Sequence, residues 1–230
     1  VVRDSFGISG IEICQAHLKN ASAGELEELR SAIVSQGCTH YNFPIDLGDV
    51  SQADEDAREK DLRAIEGWIE TAAQLGARNV RVNVGKSARA DGASVDIGVA
   101  SFRRLADRCG QLGMGLLIEN HGGISSDPAF VVRFVEDVGL SNVGTCPDFG
   151  NFPEKVRYSG LEALMPYARH VHVKTHDFDE SGGHPSFDVG RCLQIVHKSG
   201  YQGPYSIEFE GKGDQYEGIR LTKELLLSHL

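Results

Sequence analysis

The chain of 230 residues carries a formal net charge of −10, is 40% hydrophobic, and contains 27 glycines but only 7 prolines. This balance excludes a disordered or fibrous chain. With no Lys/Arg cluster to offset the acidity, it also argues against a nucleic-acid partner. No apolar run approaches the roughly 20 residues that span a bilayer, and the opening VVRDSFG lacks signal-peptide organisation, so the expectation is a soluble, cytoplasmic protein without a membrane partner.

In chain order, short β-branched runs alternate with longer amphipathic stretches. GISGIEIC predicts a strand near 11–14, and AGELEELRSAIVSQG (23–37) spaces Leu26, Leu29, Ile33 and Val34 on one helical face. A strand near 38–42 follows, then a helix over 56–77 carrying Leu62, Ile65, Ile69 and Ala73, with Gly76 as its stop. Strands near 79–84, 115–119, 142–146, 170–174 and 205–209 are separated by helical patterns at 101–113, 127–139, near 160–168, and at 188–200. A last helical pattern covers 217–230. Repeated strand and crossover-helix units predict a parallel sheet with helices outside.

These units run without a linker, so residues 1–230 are expected to form a single domain. No GxGxxG loop follows the first strand, and polar groups sit at many strand ends rather than at one crevice. That distribution favours a (β/α)₈ TIM barrel over an open doubly wound sheet. Seven predicted strands are one too few, and the chain opens on what reads as the tail of a helix. The expectation is therefore that the first strand lies upstream of residue 1. The five cysteines, at 14, 38, 109, 146 and 192, form no CxxC pair and read as reduced small hydrophobes.

Four strand ends carry the chemistry: Glu119 in LLIEN, Asp148 in GTCPDFGN, His172 in HVHVK and Glu208 in YSIEFE. Taken singly, either glutamate reads as a polar strand cap sooner than as a ligand, Asp148 as a turn brace after Pro147, and His172 as a core histidine. In a parallel barrel, however, every strand opens its carboxyl end onto one mouth. Three carboxylates and an imidazole converging there suit one divalent cation (Mn, Mg, Co or Zn), because carboxylates crowded without a cation repel one another. Strand alternation puts His170, His172 and Lys174 on one face, with His172 and Lys174 nearer the mouth. Asn83 and His40 also fall near strand ends. Arg81 either lines the mouth or pairs lower down with Glu12.

Through SGIEI (9–13), LGARNVRV (75–82), LLIENHGG (116–123), GTCPDFGN, HVHVK and GYQGPYSIEFEG (200–211), the chain resembles the xylose isomerase-like TIM-barrel superfamily of sugar isomerases and epimerases. The resemblance covers nearly everything from residue 8 onward. It implies that Glu119, Asp148, His172 and Glu208 bind one metal ion, and that Glu119 and Glu208 exchange protons with opposite sides of a substrate carbon through an enediolate. The substrate would be a sugar or related hydroxy-carbonyl compound. Two features depart from the epimerase pattern: Asn151 stands where some relatives carry a histidine three residues after the aspartate, and Phe178 stands at the distance of an arginine. Lys174, His121, Asn83, His40 and Asn151 are the expected substrate-binding residues, with Lys174 and His121 filling in for the missing groups.

The competing expectations are a metal-dependent dehydratase (a lyase) acting on a polyol or keto-sugar, and a non-catalytic sugar-binding barrel. An apurinic-site endonuclease would need extra histidines where Asn83 and Asn151 stand. The apolar LLLSHL tail suits packing either on the barrel or against a second copy in a homo-oligomer.

Overall fold

The structure, a computed structural model, describes residues 1–90 and 92–230. Eight α-helices and seven strands follow one another among these residues in the order of a (β/α)₈ chain that is one strand short of eight. Contacts divide the chain into two compact units, Val1–Glu119 with Arg133–Gly144, and Asn120–Val132 with Thr145–Leu230. No helix among the described residues is long and apolar enough to cross a membrane.

In the first unit α1 (Val2–Phe6) leads into β1 (Gly10–Glu12), α2 (Ala23–Ser35), β2 (Thr39–Ile45), α3 (Glu55–Gln74), β3 (Asn79–Val82), α4 (Gly92–Gln111) and β4 (Gly115–Glu119). The pairs β1–β2, β2–β3 and β3–β4 are all parallel. The helices start where the sequence supplies acceptors for their unpaired N–H groups. Ser22 and Glu25 form a reciprocal capping box on α2, and the Asp54 side chain accepts from the Ala57 N–H on α3. The core under this sheet includes Phe43, Ile65, Ile69, Val80, Leu105 and Leu116, all fully buried. Each such side chain contributes about 1.5–3 kcal/mol by leaving water.

Two boundaries differ from the sequence expectation. β2 continues to Ile45, past Pro44, which pairs in register with Arg81 although proline normally marks a strand's end. α4 begins at Gly92 rather than near 101 because its glycines hide a helical pattern. A Cβ on Gly98 would stand 2.7 Å from Ser51 Oγ and 3.1 Å from Phe134, so a bare backbone is what lets this turn approach its neighbours. Phe102, one turn on, meets Phe134 edge to face at 4.9 Å.

The helix α5 (Pro128–Val138) and the strand β5 (Val143–Cys146) each start in one unit and end in the other. The second unit then holds α6 (Arg157–Leu164), β6 (Val171–Thr175), α7 (Val189–Lys198), β7 (Tyr205–Phe209) and α8 (Gln215–Leu227). β6 and β7 pair in parallel, setting His172 opposite Ser206 and Lys174 opposite Glu208. The chain leaving β5 pairs with β6 through Asp148 and His172: the His172 N–H donates to Pro147 O at 2.9 Å, and the Phe149 N–H to His172 O at 3.1 Å. Asp188 and Asp214 cap α7 and α8, and α8 lies so close to β7 that a Cβ on Gly218 would fall 2.2 Å from the Phe209 ring.

Candidate metal centre

Backbone pairing within the second unit brings three predicted ligands together. Asp148 follows β5 and bridges to His172 in β6, while β7 delivers Glu208 beside them. One ligand atom from each of Asp148, His172 and Glu208 lies within 4.8 Å of the others. His172 Nδ1 stands 3.5 Å from Glu208 Oε2. Asp148 and His172 are buried and Glu208 is partly open to solvent. The Asp148 carboxylate has a fixed orientation, because its Oδ1 accepts both the Gly150 and the Asn151 N–H at 2.7 Å.

Asn120, which sequence reasoning did not single out, holds the same segment from behind. Its Nδ2 donates to Asp148 O at 3.0 Å and its Oδ1 accepts the Asp148 N–H at 2.7 Å. Arg157 was also missed: it is buried at the start of α6, donates to Phe149 O, and lies 4.2 Å over the Phe187 ring. Asn120 was visible inside the LLIEN stretch, but nothing in the sequence singled out Arg157.

Lys174 is buried on the same face as His172. Its ammonium lies 3.3 Å from Glu208, 3.4 Å from Glu210 and 3.2 Å from Asn151 Oδ1. The stem of this lysine runs over Gly150, where a Cβ would come within 3.0 Å of it. Asp179 accepts from Ser181 and Gly183 within its own turn. His170, two residues before His172, bonds Ser206 Oγ at 2.7 Å. Phe178, at the place of the missing arginine, stacks on Phe209 at 6.1 Å.

In the first unit Glu119 is the last residue of β4. Arg81 pairs with it, Nε to Oε2 at 3.0 Å. Arg81 also contacts Asp46, and Asn83 Nδ2 donates to Asp46 Oδ1 at 3.0 Å, so Asn83 sits at the carboxyl end of β3 within this network. Glu12 accepts from Asn42 at 3.2 Å.

His40 is a correction to the expected placement. It is the second residue of β2, at the start of the strand, and its Nδ1 donates to Leu75 O at the end of α3, 3.3 Å away. Burial holds its pKa below the ordinary histidine value. His121 is exposed in the loop after β4, its backbone N–H bonded to Ser125 Oγ at 2.8 Å. All five cysteines are free thiols, and burial pushes Cys109 and Cys192 up to about 12, so both are inert at neutral pH.

Two carboxylates and an imidazole, with one carboxylate edge already saturated by amides, form a donor set that can coordinate a hard to borderline divalent ion. The family described as Xylose isomerase-like TIM barrel matches residues 3–226. The chain belongs to that family. A C-glycoside deglycosidase alpha subunit from Arthrobacter globiformis is 44% identical over 48 residues, which are 21% of this chain and 14% of that protein. The chain therefore matches only a small part of that relative's length.

Among solved structures of this family's fold, L-ribulose 3-epimerase superposes with a TM-score of 0.85 at 19% identity, covering 99% of this chain and 86% of that one. A xylose isomerase-like TIM barrel protein from Mycobacterium smegmatis in complex with magnesium superposes with a TM-score of 0.74 at 22% identity, covering 98% and 85%. At these identities the likeness shows the fold. What the family match and the site together establish is a xylose isomerase-like TIM-barrel chain carrying a cluster of residues able to hold a metal ion.

Proposed function

We propose that the protein is a divalent-metal-dependent isomerase or epimerase that moves a proton on a sugar or related hydroxy-carbonyl compound through an enediolate. The carrying observation is the meeting of Asp148, His172 and Glu208 within 4.8 Å, with Lys174 held against Glu208. Glu119 is proposed as the fourth ligand. It is joined by one peptide bond to Asn120, whose side chain grips the Asp148 backbone. The magnesium named for the mycobacterial relative supports a hard divalent ion.

A bound ion would stabilise the negative charge that develops on the substrate oxygens. The remaining work falls to side chains. Glu119 and Glu208 act as the acid/base pair, one taking the carbon-bound proton and the other returning one. Lys174, a point charge tied to Glu208 and Asn151, holds a substrate oxygen, with Asn151, Asn83 and the exposed His121 as further hydrogen-bonding groups. His40 is left out of this set because its ring is directed at the end of α3. The likeness to L-ribulose 3-epimerase supports epimerisation. The deglycosidase relative supports a second reading, a lyase that makes the same proton abstraction and then expels a β-substituent.

The test is exchange in D₂O. Manganese-loaded protein is mixed with D-fructose or 3-keto-D-glucose and followed by NMR. Deuterium entering beside the carbonyl together with a new epimer supports the proposal, and Glu119→Gln or Glu208→Gln should lower the rate by about 10²–10⁴-fold. Elimination without epimer identifies the lyase. Absence of exchange in the metal-loaded wild type with both sugars contradicts the reading.

A further inference from the structure

Arg81 stands between two neighbours in a symmetrical register. It pairs with Pro44 of β2 on one side and Leu117 of β4 on the other. Glu119 is two residues further along β4, which is the strand repeat that returns a side chain to the same face, and Asp46 lies two residues past Pro44, directly after the end of β2. The single guanidinium reaches both, Nε to Glu119 and Nη1 to Asp46, while Asn83 braces Asp46 from the next position after β3. The side chains of Arg81 and Glu119 are 5% and 1% exposed, and that of Asp46 is 34% exposed.

Such a pair is costly to bury, and its geometry is what it can contribute. A guanidinium has two edges at a fixed angle, whereas a lysine ammonium is one point charge. We propose that Arg81 is the positioning residue of Glu119, and that Asp46 sets the angle at which Arg81 presents itself. This inference rests on Glu119 being a proton-transfer group in the proposed function. Arg81 itself touches no substrate. It fixes the carboxylate's rotamer and balances its charge, so that Glu119 is already aimed before a substrate arrives. Misplacing a reacting group by about 1 Å costs on the order of 100-fold in rate.

The experiment uses the full chain as wild type, Arg81→Met, Arg81→Lys and Asp46→Asn. Mn²⁺ stoichiometry is read by EPR titration, melting by circular dichroism, and kcat and KM from deuterium exchange into D-fructose and 3-keto-D-glucose. The expected result is one Mn²⁺ per chain throughout, KM within about threefold, and kcat lowered about 100-fold in Arg81→Met, with Arg81→Lys and Asp46→Asn in between.

Wild-type kcat in Arg81→Met overturns the proposal. So does a loss of kcat that only follows lost metal and a lowered melting point, which marks a structural role. If Arg81→Met does not fold, Arg81→Lys and the partly exposed Asp46→Asn decide by the same split between kcat and KM. A wild type that binds Mn²⁺ yet exchanges neither sugar overturns the functional reading and this inference with it, an outcome distinct from an Arg81 variant that keeps full rate.

Discussion

Asn120 and Asp148 are locked by two reciprocal hydrogen bonds, from side-chain amide to backbone carbonyl and from backbone N–H to side-chain oxygen. The pair spans 28 positions of sequence, and both residues are fully buried. It reproduces with one side chain the pairing that a neighbouring strand would give, so the Asp148 carboxylate is presented from a fixed backbone.

Replacing Asn120 by Ala strands a buried N–H and a buried carbonyl, each of which costs about 1–3 kcal/mol when left unsatisfied. The expected outcome is a lowered melting temperature together with weaker Mn²⁺ binding. Thermal melts with and without Mn²⁺ check it. Asn120→Asp should also fail, because a carboxylate accepts the Asp148 N–H but has no donor for its carbonyl.

Gly150 and Lys174 form a second dependent pair. A methyl group on Gly150 would meet three carbons of the Lys174 stem at 3.0–3.3 Å, so the buried lysine must shift. Gly150→Ala is expected to separate the ammonium from Glu208, with a fold loss in exchange rate close to that of Lys174→Met. Comparing the single and double variants checks the coupling: losses that multiply independently would show that Gly150 acts elsewhere.

His40 makes stability depend on pH. Its Nδ1 proton is given to Leu75 O, and burial disfavours the imidazolium by more than its backbone hydrogen bonds to Leu75 and Asn42 favour it. The folded pKa lies below the ordinary 6.5. Above 6.5 both states are neutral and the full stability is present. As the pH falls below 6.5 the unfolded chain takes up the proton first, and stability drops until the lowered folded pKa is passed. The slope from this one group reaches at most about 1.4 kcal/mol per pH unit. His40→Gln should flatten that part of the curve in denaturant melts between pH 5 and 8.

The fold and the meeting of three candidate ligands were readable because both depend on local patterns. Short β-branched runs located all seven strands to within a few residues, and parallel pairing then brought Asp148, His172 and Glu208 together. What escaped depends on side-chain direction and reach. Arg81 was placed correctly on its strand, yet finding Glu119 as a partner required the register of β3 against β4. His40 sits at the start of a strand whose continuation through Pro44 the sequence disguised, so the end at which it lies could not be judged. The early turns of α4 were hidden by glycines that serve close packing.

The most direct test of the central claim is metal content by elemental mass spectrometry after loading with Mn²⁺ and desalting, for wild type and for Asp148→Ala and His172→Ala. About one ion per chain is expected in the wild type and near-complete loss in both variants, with circular dichroism unchanged. A wild type that retains no Mn²⁺, Mg²⁺, Co²⁺ or Zn²⁺, even when titrated at equilibrium, or variants that bind as well as the wild type, would contradict it.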